Sequence, residues 1–141
     1  MKHLGTKTIE TRRLVLRKFT LSDAEPMYRN WASDPEVTRY LLWPAHESEE
    51  ETKGILKGWI AAYEKPEKYE WCIELKEIGE AIGSIGVVMV NEKVQSMEVG
   101  YCLSCDYWHK GIMSEALSAV VLPAAWRQGR LDNYRPRGLS C

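Results

Sequence analysis

The chain has 141 residues, of which 45% are hydrophobic and 28% charged, and this balance is typical of one globular domain with a hydrophobic core. Its 19 basic and 20 acidic residues leave a formal net charge of −1, so no net positive field attracts nucleic acid or an anionic membrane, and we expect neither as a partner. No segment reaches the roughly 18 apolar residues of a membrane span, and the N-terminus lacks the apolar core of a signal peptide. The expected location is therefore the cytoplasm.

The first predicted elements are a strand and a short helix. Residues 8–19 alternate well enough for a strand, with Leu14 and Leu16 on one face. Ser22 and Glu25 then have the spacing of a capping box in front of apolar residues at helical spacing. The sequence therefore predicts a strand followed directly by a helix.

Two more helix starts follow. Asp34 is predicted to cap a helix that has Pro35 at its first position, where the missing N–H of proline costs nothing. Ser48 and Glu51 form a second capping-box pattern, and an apolar stripe after it predicts the main helix of this region, ending near Lys65.

After Pro66 the hydrophobic period changes to two. The segments WCIEL, AIGSIGVVMV and SMEVGYCLS predict three successive antiparallel strands joined by short turns. Gly83, Gly86 and Gly100 lie inside these strands, where a glycine usually marks a bulge or the close approach of another group to the backbone.

The cysteine pattern predicts ordinary reduced cysteines and does not indicate a metal-binding or redox centre. Cys102 and Cys105 form a CxxC, but they lie in a strand pattern, in which residues three apart point to opposite faces. We therefore expect no metal, and two buried or half-buried thiols instead. With Cys72 and Cys141, four free thiols fit a reducing compartment.

The last predicted helix begins near Ile112 and is interrupted by Pro123. Residues 124–141 show no clear period and are predicted to be frayed helix and tail. The predicted order is thus strand, two main helices with a further helix start at Asp34 between them, three antiparallel strands, helix and tail, in a single domain over residues 1–141.

The segment DYWHKGIMSEAL, residues 106–117, joins the third strand of the meander to this helix. A turn with Lys110 and Gly111 at a helix start presents free N–H groups, the positive end of the helix dipole and one lysine to a common point. This pattern predicts an anion-binding site. It is neither a Walker A loop nor a Rossmann fingerprint, because the required glycine spacing is absent.

From residue 8 to residue 121 the chain resembles the GCN5-related N-acetyltransferases (GNAT), and among them the ribosomal-protein alanine acetyltransferase (RimJ/RimL-like) type. The resemblance is carried by ETRRLVLRKFTLSDAEPMYRNWASDPEVTRYLLW, by IGEAIGSIGVV and by MEVGYCLSCDYWHKGIMSEAL. It implies an α+β fold with a mixed, twisted sheet flanked by helices. It also implies a splay after the strand that holds residues 98–104, which admits acetyl-CoA.

The implied activity is transfer of an acetyl group from acetyl-CoA to a primary amine, at a protein N-terminus or on a small molecule, without a covalent enzyme intermediate. The pantetheine arm would pair with the strand at residues 99–103, and the diphosphate would lie on the N–H groups of residues 109–114. The implied acetyl-CoA-binding residues are Val99, Tyr101, Cys102, Leu103, His109, Lys110, Gly111, Ile112, Met113 and Ser114.

The attacking amine must be neutral, so the reaction needs a carboxylate or an ordered water as base. Glu98, at the start of the same strand, is the candidate base; the alternative is a solvated glutamate at a sheet edge. A backbone N–H of the splayed strand would stabilise the oxyanion.

Two departures from the family pattern are visible. The family motif Q/R-x-x-G-x-G/A falls on residues 106–111, where His109 replaces the first glycine and Asp106 the polar or basic lead. We expect a Cβ at position 109 to hinder close approach of the backbone to phosphate, unless the histidine adds a donor of its own.

The second departure is that residues 122–141 match none of the strand, helix and hairpin with which the family continues, so the fold is expected to be incomplete at the C-terminus. The strand with Glu98 to Ser104 should then end the sheet, and such an edge predicts a homodimer. The alternative to an enzyme is a truncated, inactive domain that serves as a binding or assembly module.

Overall fold

The computed structural model describes residues 6–39, 44–65, 69–91, 96–128 and 134–138, with the backbone alone at 87–91, 96–98, 121–128 and 134–138. Six strands form one sheet in the order β1-β2-β3-β4-β5-β6; the first five are antiparallel to their neighbours, and β6 is parallel to β5. The strands are β1 Ile9–Glu10, β2 Leu14–Arg17, β3 Tyr69–Leu75, β4 Glu80–Asn91, β5 Ser96–Leu103 and β6 Tyr134–Gly138. Together with the helices, this sheet confirms the predicted α+β fold with a mixed sheet.

The helices lie between β2 and β3 and between β5 and β6. They are α1 Ala24–Met27, α2 Pro35–Thr38, α3 Glu49–Ala62 and α4 Ile112–Gln128, with 3-10 turns at Leu21–Asp23 and Cys105–Tyr107 and a π turn at Tyr28–Ala32. Within the part of the chain that the structure describes, no helix is long and apolar enough to cross a membrane.

The predicted meander is confirmed as β3, β4 and β5. Tyr69 pairs with Val87 at one end of β3 and Leu75 with Glu80 at the other, and the turn between these strands has Gly79 in the left-handed region at φ 66°. The predicted turn between β4 and β5 falls partly on residues 92–95, which lie outside the described residues.

The N-terminal strand prediction was wrong in one respect. Residues 8–19 form two short paired strands, because the chain turns at Thr11, whose N–H donates to the carbonyl of Leu14 at 2.9 Å. The shared face is confirmed, since Leu14 and Leu16 are both fully buried.

The helix caps were predicted in two of three cases. The side chain of Asp34 accepts from the N–H of Glu36, and that of Ser48 accepts from the N–H of Glu51 at 3.2 Å. The first cap lies two residues earlier than Ser22, because Arg17 binds Asp23 with both terminal nitrogens and the same carboxylate accepts from the N–H of Thr20.

Each face of the sheet carries an apolar cluster. The cluster under α4 includes Leu14, Leu16, Trp71, Ile73, Ile82, Val99, Leu103, Ile112, Ala116 and Val120. The cluster under α1 and α3 includes Phe19, Met27, Trp31, Val37, Leu56, Cys72, Ala81 and Cys102. The sheet is therefore the central layer of the domain, and β5 contributes to both clusters.

The predicted end of the sheet at β5 was wrong. Strand β6 pairs with β5 from Met97↔Tyr134 to Tyr101↔Gly138 and fills that edge, while Val99, Leu103 and their neighbours pack inside the chain. A homodimer through an exposed β5 edge has thus lost its basis. The sequence pattern missed β6 because its residues, YRPRG, include two arginines and a proline and show no alternation of apolar and polar residues.

The last helix also differs from its prediction. It continues past Pro123 to Gln128, so this proline does not end it. A proline inside a helix removes one backbone hydrogen bond, and packing of Ala116 and Val120 against the sheet stabilises the preceding turns.

The strand glycines lead to the first prediction. A Cβ at Gly83 would overlap the backbone carbonyl oxygen of Cys102, whereas a Cβ at Gly100 would meet nothing within 4 Å. We expect Gly83→Ala to lower the free energy of unfolding by about 1–3 kcal/mol, because neither backbone can move freely in the paired strands. Gly100→Ala is the matched control and should have little effect. Urea unfolding measures both; equal losses would contradict the close contact at Gly83.

Candidate active site

The candidate site begins where β5 leaves the sheet. After Leu103 the N–H of Ser104 donates to the carbonyl of Ile82, and a 3-10 turn over Cys105–Tyr107 redirects the chain. The indole N–H of Trp108 donates to the carbonyl of Leu103 at 2.8 Å. This bond occupies the last backbone acceptor of β5 and fixes the start of the following loop.

The loop at residues 109–111, called the anion loop below, has an unusual backbone. His109 has φ 64° and Gly111 has φ 75°, so two left-handed residues flank Lys110. Lys110 between them has no positive φ, and left-handed residues that alternate with ordinary ones direct successive N–H groups into a common concavity that binds anions. All three residues are exposed, and the Lys110 ammonium lies 5.7 Å from the centre of the Tyr107 ring.

The anion loop runs directly into α4. Ile112 is 3% exposed and anchors the helix start to the sheet, while Met113 is half-buried and Ser114 exposed. The first N–H groups of a helix have no partner within the helix, and the dipole makes this end positive. The six predicted diphosphate-binding residues, His109 to Ser114, are therefore contiguous at one exposed, positive end of a helix.

The predicted pantetheine-binding strand is only partly open. Strand β4 pairs with β5 as far as Leu103, and β6 pairs with its other edge as far as Tyr101. Val99 and Tyr101 already face β6. Of the residues predicted to contact the pantetheine arm through their backbone, only Cys102 and Leu103 therefore remain beyond the paired part of that edge.

Glu98 lies within β5, and its backbone pairs with Val88 on one side and Arg135 on the other. It is therefore an interior strand residue and not a residue of a sheet edge. Its side chain lies outside the described part of the structure, and its role as a base stays a prediction.

The cysteines of the CxxC have different surroundings. Cys102 is buried in the cluster under α1 and α3, and the half-buried Cys105 donates to Asp34 Oδ2 at 3.1 Å. This hydrogen bond, with burial, raises the pKa of Cys105 to about 11, so the thiol is protonated at neutral pH. Burial likewise raises the pKa of Cys72. Among the described residues, no group of three or more His, Cys, Asp or Glu side chains could hold a metal ion.

Two residues of the site were missed by the sequence pattern. Trp108 had no assigned partner, and its indole bond to Leu103 is visible only in three dimensions. Arg13 donates to the carbonyl of Lys110 at 2.9 Å across 97 residues of sequence, and no local signal predicts such a contact.

A mixed sheet whose strand β5 leads into an exposed anion loop and helix start, with a parallel strand beside it, defines the acyl-CoA N-acyltransferase class of fold. The chain belongs to the acetyltransferase (GNAT) domain family, whose model matches residues 13–135. The match continues past residue 121, so the prediction that residues 122–141 match none of the family was wrong.

Two curated relatives are similar along most of the chain. An uncharacterized N-acetyltransferase, YoaA of Bacillus subtilis, is 35% identical over 113 residues, which are 80% of this chain and 63% of the relative. An uncharacterized N-acetyltransferase, p20 of Bacillus licheniformis, is 31% identical over 115 residues, 82% of this chain and 64% of the relative. The chain thus spans slightly less than two thirds of the length of these relatives.

Solved structures support the fold. A GNAT-family acetyltransferase from Bacillus anthracis superposes with a TM-score of 0.73 at 22% identity, over 88% of this chain and 69% of the other. RimL, a ribosomal L7/L12 alpha-N-protein acetyltransferase solved with coenzyme A, gives 0.71 at 22% identity, over 87% and 70%.

The backbone of His109 leads to the second prediction. A left-handed conformation costs an L-residue about 1–2 kcal/mol, least for small polar residues and His and most for β-branched ones. We expect His109→Val to lower the free energy of unfolding by about 1–2 kcal/mol and His109→Asn to leave it nearly unchanged. Ser118→Val, at an exposed position inside α4, is the control for β-branching. Urea unfolding that gives the same loss at positions 109 and 118 would contradict the left-handed assignment.

Proposed function

We propose that the chain carries the acetyl-CoA site of an N-acetyltransferase that acetylates a primary amine, either a protein N-terminus or a small amine. The observation that carries this proposal is the anion loop with left-handed residues at 109 and 111, placed at the start of α4 and directly after β5. A diphosphate needs several converging donors, and a loop of this shape supplies them from the backbone.

His109 fits this role better than its sequence position suggested. Its backbone has a left-handed conformation, which glycine adopts without steric cost, and its side chain is exposed. The Cβ therefore does not prevent the loop from forming. The exposed Lys110 adds a positive charge beside it, which favours an anionic ligand.

The proposed chemistry is a direct transfer. The nitrogen of the amine forms a bond to the thioester carbonyl carbon, and the carbon–sulfur bond then breaks, so that CoA leaves as a thiolate and takes up a proton. The amine loses one proton to a base, for which Glu98 is our candidate. The N–H of Leu103 or a neighbour at the end of β5 would stabilise the oxyanion.

The acceptor is proposed to approach from the face of the sheet that carries α1 and α3. Gly86 and Gly100 pair directly across β4 and β5, and a Cβ at Gly100 would meet nothing within 4 Å. A Cβ at Gly86 would instead meet the carboxylate of Glu70, so the open space lies beside Gly100, on the strand that leads into the anion loop. The proposed location is the cytoplasm, because the buried Cys72 and Cys102 are reduced cysteines, which fit a reducing compartment.

The third prediction tests donor binding. A ligand that binds only the native state at 100 times its dissociation constant stabilises that state by about 2.7 kcal/mol, so acetyl-CoA should raise Tm by several degrees. ATP at the same concentration controls for unspecific binding of a polyphosphate. Release of CoA thiol in the presence of peptides with free N-termini then measures turnover. No shift in Tm at saturating acetyl-CoA would favour the alternative, a binding or assembly module without catalysis.

The fourth prediction tests direct transfer. Cys102→Ser and Cys105→Ser should each leave turnover within about twofold, because the raised pKa of Cys105 and the burial of Cys102 disfavour a thiolate nucleophile. Circular dichroism confirms that each variant is folded. Complete loss of turnover in a folded variant would indicate an acetylated cysteine and contradict direct transfer.

A further inference from the structure

The side chain of Arg13 contacts the backbone of the anion loop on the side that faces the protein. Its Nη1 donates to the carbonyl oxygen of Lys110 at 2.9 Å, and its Nη2 lies 3.5 Å from the position that a Cβ on Gly111 would take. The side chain comes from the turn between β1 and β2, at the opposite end of the sequence. It thus contacts the loop at the one residue that lies between the two left-handed positions.

Glu115 fixes Arg13 in this position. Its Oε1 accepts from Arg13 Nε at 2.6 Å, and its Oε2 accepts from the backbone N–H of Arg13 at 2.9 Å and from the hydroxyl of Thr11. Partial burial opposes ionisation, but the hydrogen bonds from Thr11 and Arg13 lower the pKa of Glu115 to about 2. The carboxylate is therefore charged at neutral pH and satisfied by three donors.

The bond to Lys110 determines where the next N–H points. In a trans peptide the C=O and N–H groups lie in one plane and point in opposite directions. Because Arg13 holds the carbonyl of Lys110 on the protein side, the N–H of Gly111 is directed away from it. If this peptide flipped, a carbonyl oxygen would face the anion in place of a donor, and the two negative groups would repel each other.

The hydrogen bond from Arg13 to the carbonyl of Lys110 is not needed to hold the β1–β2 hairpin in the folded chain. The β1–β2 hairpin is already held by the pairing of β2 with β3 and by the buried side chains of Leu14 and Leu16. An ion pair of partly exposed side chains contributes little to folding in general, and the Arg13 side chain is 33% exposed. The bond to the Lys110 carbonyl acts on the conformation of the loop.

We infer that Arg13, held by Glu115, is a positioning residue that fixes the 110–111 peptide so that the anion loop presents the Gly111 N–H to the diphosphate of the acetyl donor. The inference rests on the proposed function for the identity of the anion. It predicts that Arg13 and Glu115 act through the loop and that neither needs to touch the phosphate.

The fifth prediction compares two ligands by titration calorimetry: acetyl-CoA, and S-acetylpantetheine, which lacks the diphosphate. Arg13→Met should weaken acetyl-CoA binding about tenfold, which corresponds to the loss of one charged hydrogen bond. Glu115→Gln should weaken it in the same direction by a smaller factor, and neither change should alter binding of S-acetylpantetheine. Arg12→Met is the matched control, because Arg12 is exposed and its loss changes the net charge equally.

Three other outcomes of this titration would contradict the positioning role of Arg13. Equal losses for both ligands in Arg13→Met would indicate a general structural role, and a loss no larger than that of Arg12→Met would show that the loop does not need Arg13. Unchanged or tighter acetyl-CoA binding in Glu115→Gln, with a loss in Arg13→Met, would indicate direct contact of Arg13 with phosphate. If Arg13→Met does not fold, Arg13→Lys replaces it, since lysine cannot bond Glu115 and Lys110 through two separate nitrogens.

A second measurement separates this inference from the proposed function. The amide resonance of Gly111 should shift when inorganic pyrophosphate is added to the wild-type chain, and the shift should be lost in Arg13→Met but not in Arg12→Met. If the wild-type chain binds no acetyl-CoA, the proposed function fails, whereas the resonance of Gly111 still decides the positioning role. A shift that survives in Arg13→Met would overturn that role.

Discussion

The pairing of β5 on both of its edges is the constraint on which the rest of the domain depends. Buried backbone N–H and C=O groups are costly without partners, and β5 finds them in β4 to Leu103 and in β6 to Tyr101. Past Tyr101 only the pairing with β4 continues in the described residues, and the indole of Trp108 takes the carbonyl of Leu103. The strand therefore leaves the sheet with an occupied acceptor and turns at once into the anion loop, so the sheet sets the position of the loop.

Two of the groups of ionic contacts that connect the N-terminal segment to this framework act on different parts. Arg17 binds the buried Asp23 through both terminal nitrogens and Glu74 through Nε, which ties the first helix start to β3. Arg13 and Glu115 instead join the β1–β2 turn to the first turn of α4. The first group orders the fold around its core, whereas the second reaches the anion loop, whose backbone conformation decides what it can bind.

The sequence predicted elements whose signals are local and missed those that depend on distant partners. Ser48 and Asp34 mark helix starts within four residues, and the alternation of β3 to β5 is visible in short windows, so these two caps and the meander were predicted correctly. Strand β6 carries Pro136 and charged residues, and it is a strand only because β5 offers a parallel edge beside it. A proline is tolerated there because an edge strand has one side whose N–H groups need no partner in the sheet.

The same distinction applies to the candidate site. The segment around Lys110 and Gly111 follows a strand and opens a helix, which was enough to predict the loop, but the left-handed backbone of His109 and the contact of Arg13 have no local signature. Where binding is done by backbone N–H groups, the sequence is constrained by conformation and by space for a Cβ more than by the identity of polar side chains. A histidine can therefore occupy position 109, because its backbone takes a left-handed φ there, while Gly83 has no such freedom beside the carbonyl of Cys102.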